Sequence, residues 1–268
     1  MENTFGFIGT GNMGGALARA AAATMAPWRI RLANRTPAKA AALGQELGCE
    51  AVSTEQIAAE SGYIFLGVKP QMMEELLCQI APFLARRPDY FVLVSMAAGL
   101  TIERIRQMAG GDYPVIRIMP NTPVSTGSGV ILYDASENVA EDVLEQFCQN
   151  LESAGWLDPL PEKLMDAGSA LAGCGPAYAC MFLEALADGA VACGLPRAKA
   201  QDYAAQMLLG TAKLVLESGQ HPGSLKDAVC SPGGSTITGV RALEEQGFRG
   251  SVMQAIAAAY QRTTELGK

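Results

Sequence analysis

The spacing of hydrophobic positions changes a little past the middle of the chain. Up to about residue 158, short β-branched or aromatic runs alternate with alanine-rich stretches of helical periodicity. This alternation is typical of βαβ units that build a parallel sheet. The predicted strands are 5–8, 30–33, 64–68, 91–94, 115–119 and 130–133, and a predicted helix over 141–153 closes this part of the chain.

The segment 158–162 marks the change of pattern. It contains Pro159 and Pro161, and two prolines so close together cannot continue a helix or a central strand. Beyond it, apolar residues follow the 3.6-residue period of helices. The predicted helices are 176–193, 197–218, 235–246 and 251–267. We therefore predict an α/β Rossmann domain over residues 1–160, followed by an all-α domain for substrate binding and oligomerisation over 161–268.

The predicted helices beyond residue 160 contain much Ala, Gly, Leu and Met and few charges. That apolar surface is more than so short a segment can hide by itself. Self-association through these helices is one interpretation, and a helix buried against the chain's own Rossmann domain is the other. The longest apolar stretch, 167–183, contains a Gly-Pro pair and ends before Glu184, so no membrane span is predicted.

Charge and cysteine usage exclude several classes of partner. The net charge of −7 provides no positive field for nucleic acid or an acidic membrane surface. The seven cysteines lie scattered without a CxxC pair, which favours a reducing compartment and indicates no metal site. The first residues have no basic segment before an apolar core, so no export signal is expected and a cytoplasmic location is predicted.

A glycine-rich turn follows the first predicted strand directly and opens a helix. Its residues are Gly9, Thr10, Gly11, Asn12, Met13 and Gly14. In this context the GxGxxG pattern indicates a dinucleotide site, although a purely structural turn is the alternative. Gly9 permits the tight turn, Gly11 lets backbone N–H groups approach the pyrophosphate, and Gly14 allows helix and strand to pack closely.

The end of the second predicted strand indicates which dinucleotide binds. A carboxylate is expected there when the ribose 2′-hydroxyl of NAD is bound, but this chain has Asn34, Arg35 and Thr36. A guanidinium beside hydrogen-bonding side chains suits a 2′-phosphate. We therefore predict NADPH as the cofactor, with NADH used at lower preference. An ordinary solvated arginine that opens the next helix is the alternative.

The inventory of acids and hydroxyls favours an imine substrate. The single histidine, His221, precedes Pro222 in a predicted loop, whereas reduction of a ketone usually needs a positioned acid. An imine nitrogen is more basic and can arrive protonated, so a hydroxyl and an anion site suffice. The run from Ser231 to Thr236 offers both, because glycines and a helix start expose backbone N–H groups to a carboxylate. A helix cap alone is the alternative.

The same run, SPGGST, followed by Gly247-Phe248-Arg249, resembles the signature of the pyrroline-5-carboxylate reductase family. Four further stretches agree with that family and extend the resemblance to nearly the whole chain: 7–13, 68–71, 119–123 and 173–178. Two conservative departures are Cys174, where the family usually has serine, and Ser235, where it usually has threonine.

The resemblance implies reduction of the cyclic imine L-1-pyrroline-5-carboxylate to L-proline, the final step of proline biosynthesis, with hydride from NADPH. It implies that the Thr236 hydroxyl hydrogen-bonds the imine nitrogen. The implied substrate-binding residues are Ser231, Gly233, Gly234, Ser235 and Thr236. Glu162 matches a less specific position that approaches the substrate nitrogen, and a surface position is its other interpretation. The implied cofactor-lining residues are Val68, Lys69, Pro70, Ala97, Ala98, Gly99 and, near the nicotinamide, Asn121.

The family's second domain pairs helices between subunits, which implies dimers and allows larger rings of dimers. Two other functions remain open from the sequence. A β-hydroxyacid dehydrogenase-like reductase would need a catalytic lysine in the second domain, and Lys199, Lys213 and Lys226 are candidates that lack the expected glycine-rich setting. A non-catalytic NADPH-binding module would have no need of the loop from Ser231 to Thr236.

Overall fold

The computed structural model describes residues 2–266, and eight strands in them form one sheet. The strands are β1 (Phe5–Ile8), β2 (Ile30–Ala33), β3 (Glu50–Ala51), β4 (Tyr63–Leu66), β5 (Val92–Ser95), β6 (Val115–Pro120), β7 (Gly129–Ala135) and β8 (Gly155–Pro159). Their order is β3-β2-β1-β4-β5-β6-β7-β8, and all neighbouring pairs are parallel except β6 with β7. The predicted Rossmann-like α/β fold is thus confirmed.

Helices cover both faces of the sheet. They are α1 (Asn12–Thr24), α2 (Pro37–Leu47), α3 (Thr54–Glu60), α4 (Met73–Leu84), α5 (Ile102–Ala109), α6 (Glu141–Asn150) and α7 (Glu162–Gly168). Phe5, Phe7 and Phe65 pack with residues of α1, α2 and α6 on one face. Ile8 and Leu66 pack with α3, α4 and α5 on the other. Burial on both faces explains why the central strands are continuous apolar runs.

The compact units of the structure do not coincide with the predicted boundary after residue 160. Among the described residues, one unit contains 2–174 and 259–266, and the other contains 175–258. The chain does change from strand to helix at the two prolines, since Pro159 ends β8 and Pro161 directly precedes α7. However, α7 packs against β7, which places it with the sheet.

The second unit is helical. Its elements are α8 (Gly175–Ala192), α9 (Arg197–Ser218), α10 (Pro222–Ala228), α11 (Ser235–Glu245) and the first part of α12 (Phe248–Leu266). The predicted helix over 251–267 therefore begins three residues earlier, and Gly267 lies outside the described residues. Helices α8 and α9 pack on each other, and many of their apolar side chains remain exposed.

The helical run from Glu162 to Ala192 is continuous through a π-helical turn at Ser169–Gly173. The Gly-Pro pair at its centre therefore does not interrupt the backbone, contrary to the expectation from the sequence, because Pro176 lies in the first turn of α8, where a missing N–H costs little. By length and composition the run could cross a membrane, and only 11% of its most apolar window is buried in this chain. An apolar helix that is covered by a second subunit has the same composition.

Candidate functional site

The turn between β1 and α1 depends on two glycines. Gly9 has φ +102°, a backbone conformation that residues with a side chain rarely adopt. Its N–H donates to the carbonyl of Ala33 at 2.8 Å. A Cβ at Gly9 would overlap the carbonyl oxygen of Gly67, and one at Gly14 would overlap that of Gly9. Gly9 therefore makes the tight turn predicted for it, and Gly14 allows the close packing of α1 on that turn.

Gly11 differs from its neighbours because nothing in the chain excludes a side chain there. A Cβ built on it meets no atom within 4 Å, and its φ of −72° is ordinary. Gly11 is the N-cap residue of α1, and no side-chain cap satisfies the first N–H groups of the helix, which belong to Asn12 and Met13. This geometry fits a pyrophosphate bound by backbone N–H groups.

The predicted 2′-phosphate residues lie beside the same turn. The Asn34 side chain donates to Thr10 Oγ1 at 2.9 Å and accepts from the Thr36 N–H at 3.1 Å. It therefore links the glycine-rich turn to the segment that follows β2. Arg35 is exposed, its nearest polar contact is Met72 Sδ at 3.9 Å, and it forms no ion pair with any residue from 2 to 266. An unpaired guanidinium is free to bind a phosphate.

The loops after β4, β5 and β6 leave the same edge of the sheet as the turn. The sheet register places Ile8, Leu66, Ser95, Arg117 and Asp134 in one row across five strands. Ligands of parallel sheets bind beyond this carboxyl edge. The structure therefore brings together the predicted cofactor residues of these loops.

Within those loops the predicted residues differ in exposure. Lys69 is exposed and precedes a short 3₁₀ turn that begins at Pro70, whereas Val68 is half-buried. The Ala97 N–H donates to Ser95 Oγ at 3.4 Å, and Gly99 has φ +77°. Ala98 lies between these two residues and is half-buried.

Asn121 is buried, and both polar atoms of its side chain are bonded within the chain. Its Oδ1 accepts from the Val130 N–H at 2.9 Å, and its Nδ2 donates to the Ala172 carbonyl at 3.1 Å. These bonds fix the start of β7 relative to the π-helical turn. The nicotinamide contact that the resemblance implies for Asn121 stays a prediction.

Glu162 and a buried arginine form a cluster that sequence reasoning did not find. Glu162 Oε1 accepts from Arg117 Nη1 at 3.1 Å and from the Ile102 N–H at 2.7 Å, and Asp166 Oδ1 accepts from Arg117 Nη2 at 3.0 Å. The Arg117 side chain is only 3% exposed. A charged residue inside the apolar run 115–119 was the signal that could have revealed the cluster, because buried charges require partners. Glu162 is therefore not a simple surface residue.

The loop from Ser231 to Thr236 lies in the helical unit and ends in an open helix start. Gly233 has φ +69°, and the Gly234 N–H closes a turn on the Ser231 carbonyl at 3.0 Å. Gly234 is the N-cap residue of α11 and supplies no side-chain cap. Ser235 and Thr236, the first residues of the helix, are exposed. The N-terminal amides of α11 can therefore receive a carboxylate.

The remaining candidate residues have ordinary surface roles. His221 is the N-cap residue of α10, and its Nδ1 accepts from the Gly223 N–H at 3.0 Å. Lys199 lies over the Tyr203 ring, Lys213 pairs with Glu217, and Lys226 pairs with Asp227. Within residues 2–266, no group of three or more His, Cys, Asp or Glu side chains could hold a metal ion.

The fold and the open glycine-rich turn define an NADP-dependent oxidoreductase of the Rossmann class with a separate helical unit. Residues 4–99 match the family model described as NADP oxidoreductase, coenzyme F420-dependent. Residues 162–266 match the family model described as pyrroline-5-carboxylate reductase dimerisation. The second match covers α7 to α12 and connects the exposed apolar helices with self-association.

Several relatives that match over nearly the whole chain are pyrroline-5-carboxylate reductases. The chain is 38% identical to pyrroline-5-carboxylate reductase of Escherichia coli over 100% of both chains, and 39% identical to that of Glycine max over 98% of this chain and 96% of the other. The structure of the Plasmodium falciparum pyrroline carboxylate reductase with NADP bound superposes with a TM-score of 0.90 at 30% identity, over 100% of this chain and 99% of the other. The chain belongs to the pyrroline-5-carboxylate reductase family.

Proposed function

We propose that the protein reduces L-1-pyrroline-5-carboxylate to L-proline with NADPH as the reductant, the last step of proline biosynthesis. The proposal rests on family membership together with one structural observation. Two helices of this chain begin without a side-chain cap, and their N-terminal N–H groups suit two anions. The start of α1 at Gly11 suits the pyrophosphate of the cofactor, and the start of α11 at Gly234 suits a small carboxylate.

The chain contributes positioning and hydrogen bonds rather than a strong acid. In this proposal the N–H groups after Gly234 hold the substrate carboxylate, and the Thr236 hydroxyl hydrogen-bonds the imine nitrogen. Bound NADPH supplies the hydride, which adds to the C=N carbon. The C=N electron pair then moves to the nitrogen, so that a protonated imine becomes a neutral amine, which takes a further proton from solvent. No side chain of the chain needs to change its protonation state.

The cofactor residues of the proposal belong to the unit that contains the sheet and lie at or near the carboxyl edge of the sheet. They are Gly9, Thr10, Gly11, Asn12, Met13 and Gly14 in the turn, Asn34, Arg35 and Thr36 after β2, and Val68, Lys69, Pro70, Ala97, Ala98, Gly99 and Asn121 in the later loops. We assign Lys69 to a phosphate contact rather than to catalysis, since it is exposed and follows Gly67, whose backbone contacts the glycine-rich turn, by two positions.

The assay that tests the proposal is NADPH oxidation with pyrroline-5-carboxylate, compared with a panel of small 2-keto acids, and NADP reduction with hydroxy acids. We expect turnover with the cyclic imine alone. Turnover of a hydroxy acid instead would indicate a β-hydroxyacid dehydrogenase-like reductase. NADPH binding without any turnover would indicate a non-catalytic binding module.

The cofactor preference can be tested at Arg35. Arg35→Asp should raise the KM for NADPH about tenfold or more and leave the KM for NADH nearly unchanged, because a charge-assisted bond to the 2′-phosphate becomes a repulsion. Steady-state kinetics with each cofactor measures the two values. Arg29→Asp, an equally exposed arginine directly before β2, is the matched control and should affect neither. Equal effects of Arg35→Asp on both cofactors would contradict the assignment.

Self-association through the helices of residues 162–266 agrees with the dimerisation model that they match. Exposed apolar side chains on α8 and α9 supply the surface: Met181, Tyr203, Met207, Leu209, Leu214 and Leu216. We propose a dimer as the unit, with larger rings built from dimers.

The dimer can be tested by light scattering during size exclusion, which should give a mass of at least two chains. The double variant Met181→Glu with Leu209→Glu should lower that mass. Trp28→Glu, a 77% exposed apolar residue on the sheet unit, should leave it unchanged, whereas a single-chain mass for the wild type would contradict the dimer.

The proposal includes a cytoplasmic location with a small molecule as substrate. All seven cysteines are free thiols, and burial raises the pKa of the Cys49 and Cys148 thiols, which keeps them protonated and unreactive. The net charge of −7 favours neither nucleic acid nor an acidic lipid surface as a partner.

A further inference from the structure

Arg117 lies in the sheet row that also contains Ile8, Leu66, Ser95 and Asp134 and from which the cofactor loops leave. With Asp134 excepted, the other members of the row are apolar or small, and Arg117 itself is only 2% exposed. Its Nε has no partner among the described residues. A buried guanidinium is costly unless it is paired, so its position at this edge requires a structural reason.

Two carboxylates on α7 balance that charge almost equally. Glu162 Oε1 lies 3.1 Å from Arg117 Nη1, and Asp166 Oδ1 lies 3.0 Å from Arg117 Nη2. The two residues are four positions apart, so they share one face of the helix. Their side chains are 27% and 29% exposed. As partners of the arginine, Glu162 and Asp166 are therefore closely matched.

Glu162 and Asp166 differ in one further side-chain contact. The same Glu162 oxygen accepts the backbone N–H of Ile102 at 2.7 Å, and Ile102 is the first residue of α5. The N–H groups in the first turn of a helix have no partner inside the helix, so an external acceptor fixes where the helix begins. A second N–H group of this first turn, that of Arg104, donates to Thr101 Oγ1 at 3.1 Å.

The segment 96–101 is thereby fixed at both ends. At its start the Ala97 N–H donates to Ser95 Oγ, and at its end Ile102 is bound to Glu162. Between them, Ala97, Ala98 and Gly99 form the part of the loop that is expected to line the cofactor. The contact to Glu162 is the only side-chain bond from α7 to this loop or to Ile102 that the described residues contain.

We propose that Glu162 is a positioning residue for NADPH: held by Arg117, its carboxylate fixes the end of the 96–101 loop against the sheet edge where the cofactor binds. The inference rests on the proposed function, because it takes NADPH as the ligand of that edge. It differs from the expectation that Glu162 approaches the substrate nitrogen, since it assigns the carboxylate to the cofactor loop.

The test compares Glu162→Ala with Asp166→Ala, because each leaves Arg117 with one carboxylate and only the first removes the bond to Ile102. NADPH affinity is measured by nicotinamide fluorescence titration without substrate. Amide hydrogen exchange of the peptide that contains 96–102 is measured in the cofactor-free protein. We expect Glu162→Ala to raise the NADPH Kd about tenfold and to speed exchange in this peptide, and Asp166→Ala to change each value about twofold or less.

Glu162→Gln keeps an acceptor oxygen for Ile102 and provides the test even if the alanine variant does not fold. It should keep the NADPH Kd within about threefold of wild type and leave the KM for pyrroline-5-carboxylate unchanged. A raised KM for the imine with normal NADPH affinity would overturn the inference, as would equal effects of Glu162→Ala and Asp166→Ala. A wild type that binds NADPH but does not reduce the imine would refute the proposed function alone, since the titration and the exchange need no substrate.

Discussion

Thr236→Ala is expected to lower kcat for pyrroline-5-carboxylate about a hundredfold while leaving the NADPH Kd within about twofold of wild type. In the proposed mechanism the Thr236 hydroxyl orients the imine nitrogen, and its loss removes a hydrogen bond at the reacting centre. Thr236 is exposed and lies in the first turn of α11, where alanine continues a helix easily, so the variant should fold normally. Steady-state assays with varied pyrroline-5-carboxylate and NADPH measure kcat, and a fluorescence titration with NADPH measures the Kd.

Two controls separate the hydroxyl from the helix start. Thr236→Ser keeps a hydroxyl at the same position and should recover most of the turnover. Thr238→Ala makes the same substitution two residues later and removes the bond from Thr238 Oγ1 to the Gly234 carbonyl, 3.0 Å long. It should cost about threefold or less in kcat, because the amides before it still hold the carboxylate. Full activity of Thr236→Ala, or an equal loss in Thr238→Ala, would remove Thr236 from the mechanism.

Elements buried on both sides were predictable from the sequence, and elements at the margins were not. The ranges of β1 and β2 agree with prediction to the residue, because buried apolar or small residues fill all of β1 and three of the four positions of β2. The strand β3 has two exposed residues, and β8 pairs only with β7 at the sheet edge and ends in a proline, so neither carries that signal. The reversed direction of β7 comes from a short connection after β6 that contains no helix long enough for a crossover.

The same distinction holds within the candidate site. Gly9, Gly11 and Gly14 were predictable because their roles depend on backbone geometry over a few consecutive residues. The partners of Glu162 were not, since Arg117 lies 45 positions away in the chain and Ile102 lies 60 positions away. Sequence periodicity contains no information about which carboxylate reaches which helix start across such separations. Only the buried charge at position 117 signals that some partner must exist.

The open space at Gly11 leads to the second large prediction. Gly11→Ala should raise the NADPH Kd about a hundredfold and leave the melting temperature within about 2 °C of wild type. The added methyl group meets no protein atom within 4 Å, and the backbone there has φ −72°, which alanine adopts without strain. The chain's only preference for glycine at this position is the modest one of a helix N-cap, which is small beside the expected loss of affinity. The methyl group would instead occupy the space through which a pyrophosphate reaches the N–H groups of α1.

Two neighbouring glycines, Gly14 and Gly15, provide control variants for Gly11→Ala. Gly15→Ala is the control for cofactor affinity and should change the Kd about twofold or less. The Cβ of the alanine would lie 3.3 Å from Nη1 of Arg19 and 3.7 Å from the Thr10 carbonyl oxygen, so it fits with little adjustment. Gly14→Ala is the control for packing, because its Cβ would overlap the Gly9 carbonyl and should cost about 1–3 kcal/mol of stability. If Gly11→Ala bound NADPH as tightly as wild type, the start of α1 would not be the pyrophosphate site. Loss of affinity with unchanged stability is the result that only a ligand at this helix start explains.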